Sequence, residues 1–242
     1  MHRVMGMWSV MVLVVTIGCA STQQAKSVHK SGFLDQKTYS MLREGKHSSM
    51  LRESPEDEAM LIYKNPDTDW RKYKKIHLDP VTVFVGKDSP LSKVKPEDRK
   101  MLANVLFHDL NETLGKDYEM TRGYEEDTLW IQAAITEGEE SMVVLDTISS
   151  VVPQLKVLAG AKGLATGVSA FTGAATVEMK ITDAATGTLL AAGVDRRGGT
   201  KNLSGVTDSW HDVLEAYRFW SEKIRYRLCE ARGGSNCVAP KA

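Results

Sequence analysis

The sequence predicts an α+β domain of two layers, in which a mostly antiparallel sheet carries two main helices on one face. Residues 96–114 and 209–231 repeat apolar side chains at helical spacing. Several shorter segments between residues 76 and 195 alternate apolar and polar side chains, as strands do. The order along the chain is strand, helix, two strands, hairpin and helix, which favours helices packed on one face of an antiparallel sheet.

The strand segments begin with residues 59–63, which we interpret as a short edge strand ended by Asn65 and Pro66. Residues 76–85 form the first clear strand, rich in β-branched side chains. Pro80 inside this strand lacks a backbone donor, so we expect an edge position or a bulge there.

The first main helix is predicted at residues 96–114. Pro96 suits the first helical position, and Glu97 and Asp98 suit the positive end of the helix dipole. Gly115 is expected to end the helix. Four leucines at every fourth position form its apolar stripe: Leu102, Leu106, Leu110 and Leu114.

Residues 118–124 and 128–136 follow as strands, and residues 175–195 as a β-hairpin around the turn at 183–187. The second main helix, residues 209–231, begins with Ser209 and Asp212 in the spacing of a capping box. Gly233 and Gly234 follow it.

Residues 142–174 do not fit this alternation, since Asp146, Lys156 and Lys162 are their only charged residues. We predict an irregular or helical insertion there. It either packs against the body of the domain or offers a surface to a partner or a membrane.

The amino-terminal residues 1–18 have the layout of a secretory signal, with Arg3 before an uncharged apolar stretch that ends in small residues. The stretch Thr16–Cys19 resembles a bacterial lipobox, although leucine is commoner where Thr16 stands. The resemblance implies cleavage before Cys19 and lipid on its thiol, and Ala20 implies sorting to the outer membrane. The alternative is a plain signal peptide, or a short anchor, with an incidental cysteine.

Residues 19–30 are predicted to be a flexible tether, residues 31–232 a single domain, and residues 233–242 a disordered tail. Cys229 and Cys237 are the two further cysteines. In an oxidising compartment they either form a disulfide, or Cys229 faces the core while Cys237 stays free.

Charge and motifs limit the function classes. The chain holds 31 basic and 31 acidic residues, so no nucleic-acid partner is expected. It has no nucleophile elbow, phosphate loop or His-Glu-x-x-His sequence. We therefore predict no catalytic residue, metal or cofactor, and we interpret His108 and Glu112 as an exposed pair on one helix face.

Two basic groups are candidates for contact with an anion or a lipid headgroup. The alternatives are a charged approach to a strand for the first group and a solvated strand end for the second. The candidates are Arg71, Lys72, Lys74 and Lys75 in the first group, and Arg196 and Arg197 in the second.

Seven short stretches match one family in their order and spacing: residues 31–34, 63–66, 70–75, 78–81, 173–178, 183–187 and 191–198. The chain thereby resembles the bacterial lipoproteins grouped as "domain of unknown function 3313", over roughly residues 30–232. The resemblance implies export, lipidation and a single α+β domain. It carries no activity to transfer.

Three functions follow as hypotheses. The first is a non-enzymatic lipoprotein on the periplasmic face of the outer membrane, which binds an envelope protein or assembles with its own copies. The second is a module that binds a lipid or small molecule in a pocket under residues 142–174. The third is an envelope hydrolase, which would need a deep pocket joining His108 or His211 to a carboxylate.

Overall fold

A computed structural model of the chain describes residues 22–24, 28, 30–44, 59–85, 90–145, 168–199 and 209–240. The helices are α1 (Gln36–Met41), α2 (Pro96–Leu114) and α3 (Ser209–Ala231). The strands are β1 (Thr22–Gln24), β2 (Arg43–Glu44), β3 (Leu61–Lys64), β4 (Lys75–Leu78), β5 (Thr82–Val83), β6 (Glu119–Thr121), β7 (Thr128–Leu145), β8 (Val168–Asp183) and β9 (Leu189–Gly199).

The strands form one open, mixed sheet in the order β2-β3-β9-β8-β7-β4-β6, with β1 paired to β9 and β5 to β7. Five pairs are antiparallel: β1–β9, β2–β3, β3–β9, β7–β8 and β8–β9. Three pairs are parallel: β4–β6, β4–β7 and β5–β7. Parallel strands need a long crossover, and α2 supplies it between β4 and β6. The predicted α+β class with two main helices is confirmed.

The main core lies between the sheet and the two long helices. On β7 the predicted alternation holds, because Leu129, Ile131, Ala133 and Ile135 are all buried. The four leucines of the α2 stripe are buried as well. A bidentate ion pair from Arg225 of α3 to Asp117, with distances of 2.9 and 3.0 Å, fixes the end of α2 against α3.

A second, smaller core covers part of the opposite sheet face. Leu34, Tyr39 and Leu42, in and around α1, pack there against Ala192 and Val194 of β9. The prediction of two layers is therefore incomplete, since the middle of the sheet is buried on both faces.

Two strand predictions are wrong in detail. The strand expected at 76–85 is interrupted at Pro80 into β4 and β5, which pair with β7 one after the other. Because β4 lies between β7 and β6, it is not at an edge. The predicted edge strand at 59–63 is β3, which lies between β9 and the two-residue β2.

The predicted insertion is shorter than expected. Residues 142–145 and 168–174 continue β7 and β8, with Leu145 paired to Val168. The prediction of irregular or helical structure is wrong for these residues. Residues 146–167 lie outside the described part of the chain.

Both ends of the domain are more ordered than predicted. The prediction of a flexible tether is wrong at residues 22–24, which form β1 against β9. The prediction of a disordered tail is wrong as far as Cys237, which a disulfide joins to Cys229 of α3. Gly233 takes a positive φ of 78° just after the helix, as an αL cap requires.

The predicted signal peptide and Cys19 lie outside the described residues. Within the described part of the chain, no helix is both long and apolar enough to cross a bilayer.

Candidate binding pocket

An apolar pocket of about 150 Å³ lies between the second half of α3 and strands β3, β8 and β9. Its walls are mainly aliphatic: Ile62, Val177, Met179, Ile181, Ala191, Ile224 and Leu228. Ala191 and Gly193 are small, so β9 leaves space beneath the helix. Ile62, Ala191 and Ile224 are only half-buried, so the pocket opens to solvent.

Trp70 and three basic residues also line the pocket: Lys64, Lys223 and Arg227. Long basic side chains can cover apolar surface with their methylene stems while the charged ends stay in water. The pocket therefore has aliphatic walls with charged residues at its rim, where Arg227 pairs with Glu230 at 2.8 Å. No histidine is among its described lining residues.

One buried carboxylate, Asp195, lies at the pocket wall and is 6% exposed. It accepts hydrogen bonds from Gln24 Nε2 at 2.6 Å, Trp220 Nε1 at 2.8 Å and Met60 N at 3.3 Å. These donors come from β1, from the residue before β3, and from α3. Asp195 thereby fixes three elements around the pocket, and its hydrogen bonds compensate its burial.

Arg197 follows on the same face of β9 and is only 2% exposed. Its guanidinium carbon lies 3.5 Å from the centre of the Phe219 ring, a cation–π contact with α3. The expectation of a solvated strand end is wrong for this residue, which an anion in solution does not reach. Arg196 is half-buried.

In the other basic group, residues 70–75, each basic side chain has a different partner. Arg71 pairs with Asp69 at 2.9 Å, Lys72 with Asp183 at 2.7 Å, and Lys75 with Asp127 at 3.4 Å. Lys74 Nζ donates to the carbonyl of Arg71. These four side chains do not converge on one site, and their contact with headgroups stays a prediction.

Asp183 is a structural carboxylate at the turn between β8 and β9. Lys72 Nζ and Tyr73 Oη donate to one of its oxygens, and the backbone N–H and hydroxyl of Thr186 donate to the other. Burial by itself raises the pKa of the Asp183 carboxyl. The hydrogen bonds from these donors together have the larger, opposite effect and lower the pKa to about 2. Burial and the bond to Asp183 raise the pKa of Tyr73 to about 12.

A polar and aromatic cluster lies on the sheet face away from α2. His77 Nε2 is 3.2 Å from Asp79 Oδ1 and 3.3 Å from the hydroxyl of Tyr124, whose ring stacks on the imidazole. Gln132 donates to the other oxygen of Asp79, and Trp130 packs edge-on against Tyr124. Sequence reasoning missed this cluster because His77 and Tyr124 are far apart in the chain and come together only through the parallel pairing of β4 with β6 and β7.

The surface pair His108–Glu112 is separated by 3.7 Å, and its side chains are 48% and 67% exposed. This agrees with the expected exposed pair on one helix face. Among the described residues, no group of three or more histidine, cysteine, aspartate or glutamate side chains is arranged to hold a metal ion.

The pocket was also missed by sequence reasoning, which had expected it under residues 142–174. The run of small residues 191–193 on β9 could have indicated a pocket, because larger side chains lie opposite them on β8. The sequence alone did not show that α3 crosses this point.

Comparisons with known proteins gave the following similarities. The family model described as "Protein of unknown function (DUF3313)" matches residues 29–224. A search of curated proteins found no match.

Among solved structures, the PelC dodecamer from Paraburkholderia phytofirmans is 8% identical, with a TM-score of 0.35 over 72% of this chain and 98% of that chain. A DUF4136 family protein from Bacteroides thetaiotaomicron is 12% identical, with a TM-score of 0.33 over 66% and 92%. A PDZ domain protein from Parabacteroides distasonis is 12% identical, with a TM-score of 0.32 over 74% and 36%. Likeness at this level gives no basis for transferring a function.

Proposed function

Since the chain belongs to the family of unknown function DUF3313, we propose its role from its own residues: it is a lipid-anchored envelope protein that acts by binding rather than by catalysis. The observation that carries the binding role is the apolar, solvent-open pocket beside α3. The anchor rests on the lipobox that ends at Cys19.

The anchor explains how the protein is held at a membrane. Acyl chains on Cys19 supply firm attachment, because each buried methylene contributes about 0.8 kcal/mol. Ala20, rather than aspartate, supports the outer membrane as the final location, with the domain on the periplasmic face.

The size of the pocket limits its occupant. An apolar cavity of about 150 Å³ takes a benzene-sized group. This pocket therefore suits one apolar side chain of a protein partner, inserted as the central anchor of an interface. The partner is an envelope protein or a second copy of the chain.

The chemistry of Asp195 supports binding over proton transfer. Both of its oxygens already accept hydrogen bonds from protein donors. A general base must instead reach a proton on the substrate within about 3 Å. Asp195 therefore serves to hold Trp220 and β1 in place around the pocket.

The alternative occupant is the end of a lipid chain or another small molecule. The aliphatic walls would suit the apolar chain of such a molecule. Native mass spectrometry of protein purified without detergent separates the two, since a retained small molecule adds a defined mass.

The binding role is tested by photo-crosslinking in intact cells. A photoreactive amino acid at Ile224, in the pocket, should capture an envelope partner or a second copy. The same amino acid at the exposed Arg218 on the same helix serves as control. Ala191→Leu, which fills the pocket, should abolish capture, whereas Ala185→Leu in the exposed turn should not. Recovery of the monomer alone would contradict partner binding.

The anchor is tested separately by Cys19→Ala. We expect the variant to lose lipid and leave the membrane fraction. A variant that remained membrane-bound and correctly cleaved would overturn the lipoprotein assignment.

A further inference from the structure

The distance from the lipid to the folded domain is short. Only Ala20 and Ser21 separate Cys19 from β1, which begins at Thr22. Three residues span at most about 11 Å when fully extended. If Cys19 carries lipid, as proposed above, the Thr22 end of the sheet is held within this distance of the membrane surface.

The sheet extends further at this same end. Thr22 pairs with Gly199 at the end of β9, and Gly198 pairs with Ala174 of β8. Beyond that point β7 and β8 continue as a two-stranded ribbon, from Gly138 paired with Ala175 to Leu145 paired with Val168. We name residues 139–145 and 168–173 the ribbon.

The ribbon is longer than the tether. Thr22 stands level with residue 173 of β8, and β8 continues for five more residues to Val168. At about 3.3 Å per residue, the ribbon therefore reaches about 17 Å past the level of Thr22. The tether allows about 11 Å. A domain with this end towards the membrane therefore brings the outer part of the ribbon against the lipid.

The composition of the ribbon fits that position. Residues 141–145 and 168–173 contain no charged residue, whereas Glu139 and Glu140 lie nearer the domain. Met142, Val143, Val144 and Leu145 form the apolar end of one strand, and Phe171 lies on the other. The ribbon is shorter than the 9–11 residues that a spanning strand needs, so it reaches the interface and not across the bilayer.

We propose that the outer part of the ribbon docks on the phospholipid surface beside the lipid anchor. This second contact fixes the orientation of the domain. It places the β8–β9 turn, with Ala185, at the end of the sheet away from the membrane.

The test uses single cysteine labels. The sequence has three cysteines; lipid occupies Cys19, and Cys229 and Cys237 form a disulfide, so an introduced cysteine is the one reactive thiol. Val143→Cys and, as a second ribbon site, Ser169→Cys carry an environment-sensitive fluorophore. Ala185→Cys is the control. The lipidated protein is reconstituted into phosphatidylcholine–phosphatidylglycerol vesicles with nitroxide-labelled lipid.

We expect a blue-shifted emission and quenching by the nitroxide lipid at positions 143 and 169, and neither effect at 185. The mass of the amino-terminal peptide from the same sample reports lipidation, and circular dichroism reports folding of each variant. Lipidated, folded protein whose ribbon labels behave like the control overturns this inference and leaves the anchor intact. Absence of lipid overturns both. Shielding that is the same without vesicles and grows with protein concentration assigns the ribbon to a second copy and also overturns the inference.

Discussion

At the residue scale, two aspartates show how the surroundings decide the behaviour of one chemical group. Burial raises the pKa of Asp109 on α2 to about 6, and the charges of Arg218 and His108 offset only part of the effect. Asp183 is buried too, but its donors lower its pKa to about 2. The two carboxylates therefore change the stability of the fold in opposite directions as the pH changes.

Asp109→Asn should stabilise the protein at neutral pH. The pKa of Asp109 is about 6 in the folded protein and 3.8 in the unfolded chain. Protonation of Asp109 therefore adds stability that is fully present below pH 3.8 and is lost as the pH rises through 6. Because the side chain is partly exposed, we expect a gain of about 1–2 kcal/mol at pH 8. Urea unfolding at pH 4 and pH 8 measures it, and equal stability of both proteins at pH 8 would refute the assignment.

Asp183→Asn should have the opposite effect. The lowered pKa means that the carboxylate stabilises the fold above pH 3.8 and that this contribution is lost as the pH falls towards 2. The side chain of Lys72 is 49% exposed, so screening reduces the expected loss at pH 7 to about 1–2 kcal/mol. A loss that stayed constant from pH 7 down to pH 2.5 in thermal unfolding would exclude this cause.

At the element scale, α2 and α3 begin and end where the sequence predicts, because helical periodicity is a local property. The bounds of the strands depended on partners far along the chain. Pro80 illustrates this: a single residue interrupts the strand, and only the pairing of both halves with β7 keeps β4 and β5 in one sheet.

The hydrogen bond that Trp220 of α3 donates to Asp195 of β9 should stabilise the pocket wall. Trp220→Phe removes the indole donor and leaves Asp195 with two of its three hydrogen bonds. We expect a loss of about 1–3 kcal/mol in the free energy of unfolding, measured by urea denaturation. Tyr226→Phe removes an exposed hydroxyl bond on the same helix and should cost less than about 0.5 kcal/mol. Equal losses in the two variants would contradict the structural role of Asp195.

At the scale of the whole molecule, the sheet holds two cores, one under the long helices and one under α1. The smaller core is joined to the sheet through Glu178, which is fully buried and accepts hydrogen bonds from Tyr39 Oη at 2.5 Å and Ser31 N at 2.8 Å. This contact spans 139 residues of sequence, so it closes the fold between its amino-terminal segment and β8.

Tyr39→Phe should destabilise the layer formed by α1 and the residues around it, which covers the smaller core. It removes the hydroxyl donor from a buried carboxylate, and we expect a loss of about 1–3 kcal/mol. Hydrogen exchange should then rise in residues 31–44 more than in α2. Ser40→Ala, on the exposed side of α1, is the control. Unchanged exchange in residues 31–44 would show that Tyr39 does not hold this layer.

The sequence by itself determined the features that depend on neighbours a few residues apart. These are the helices at 96–114 and 209–231, the alternation of β7 and the hairpin turn at 183–187. The tertiary structure alone decided the third layer over β9, the interior position of β4, the burial of Arg197 and the pocket beside α3. The reason is that burial on both faces, strand neighbours and cavities depend on contacts between distant segments. The periodicity of apolar residues indicates that a side chain is buried, but it does not indicate which distant segment covers that side chain.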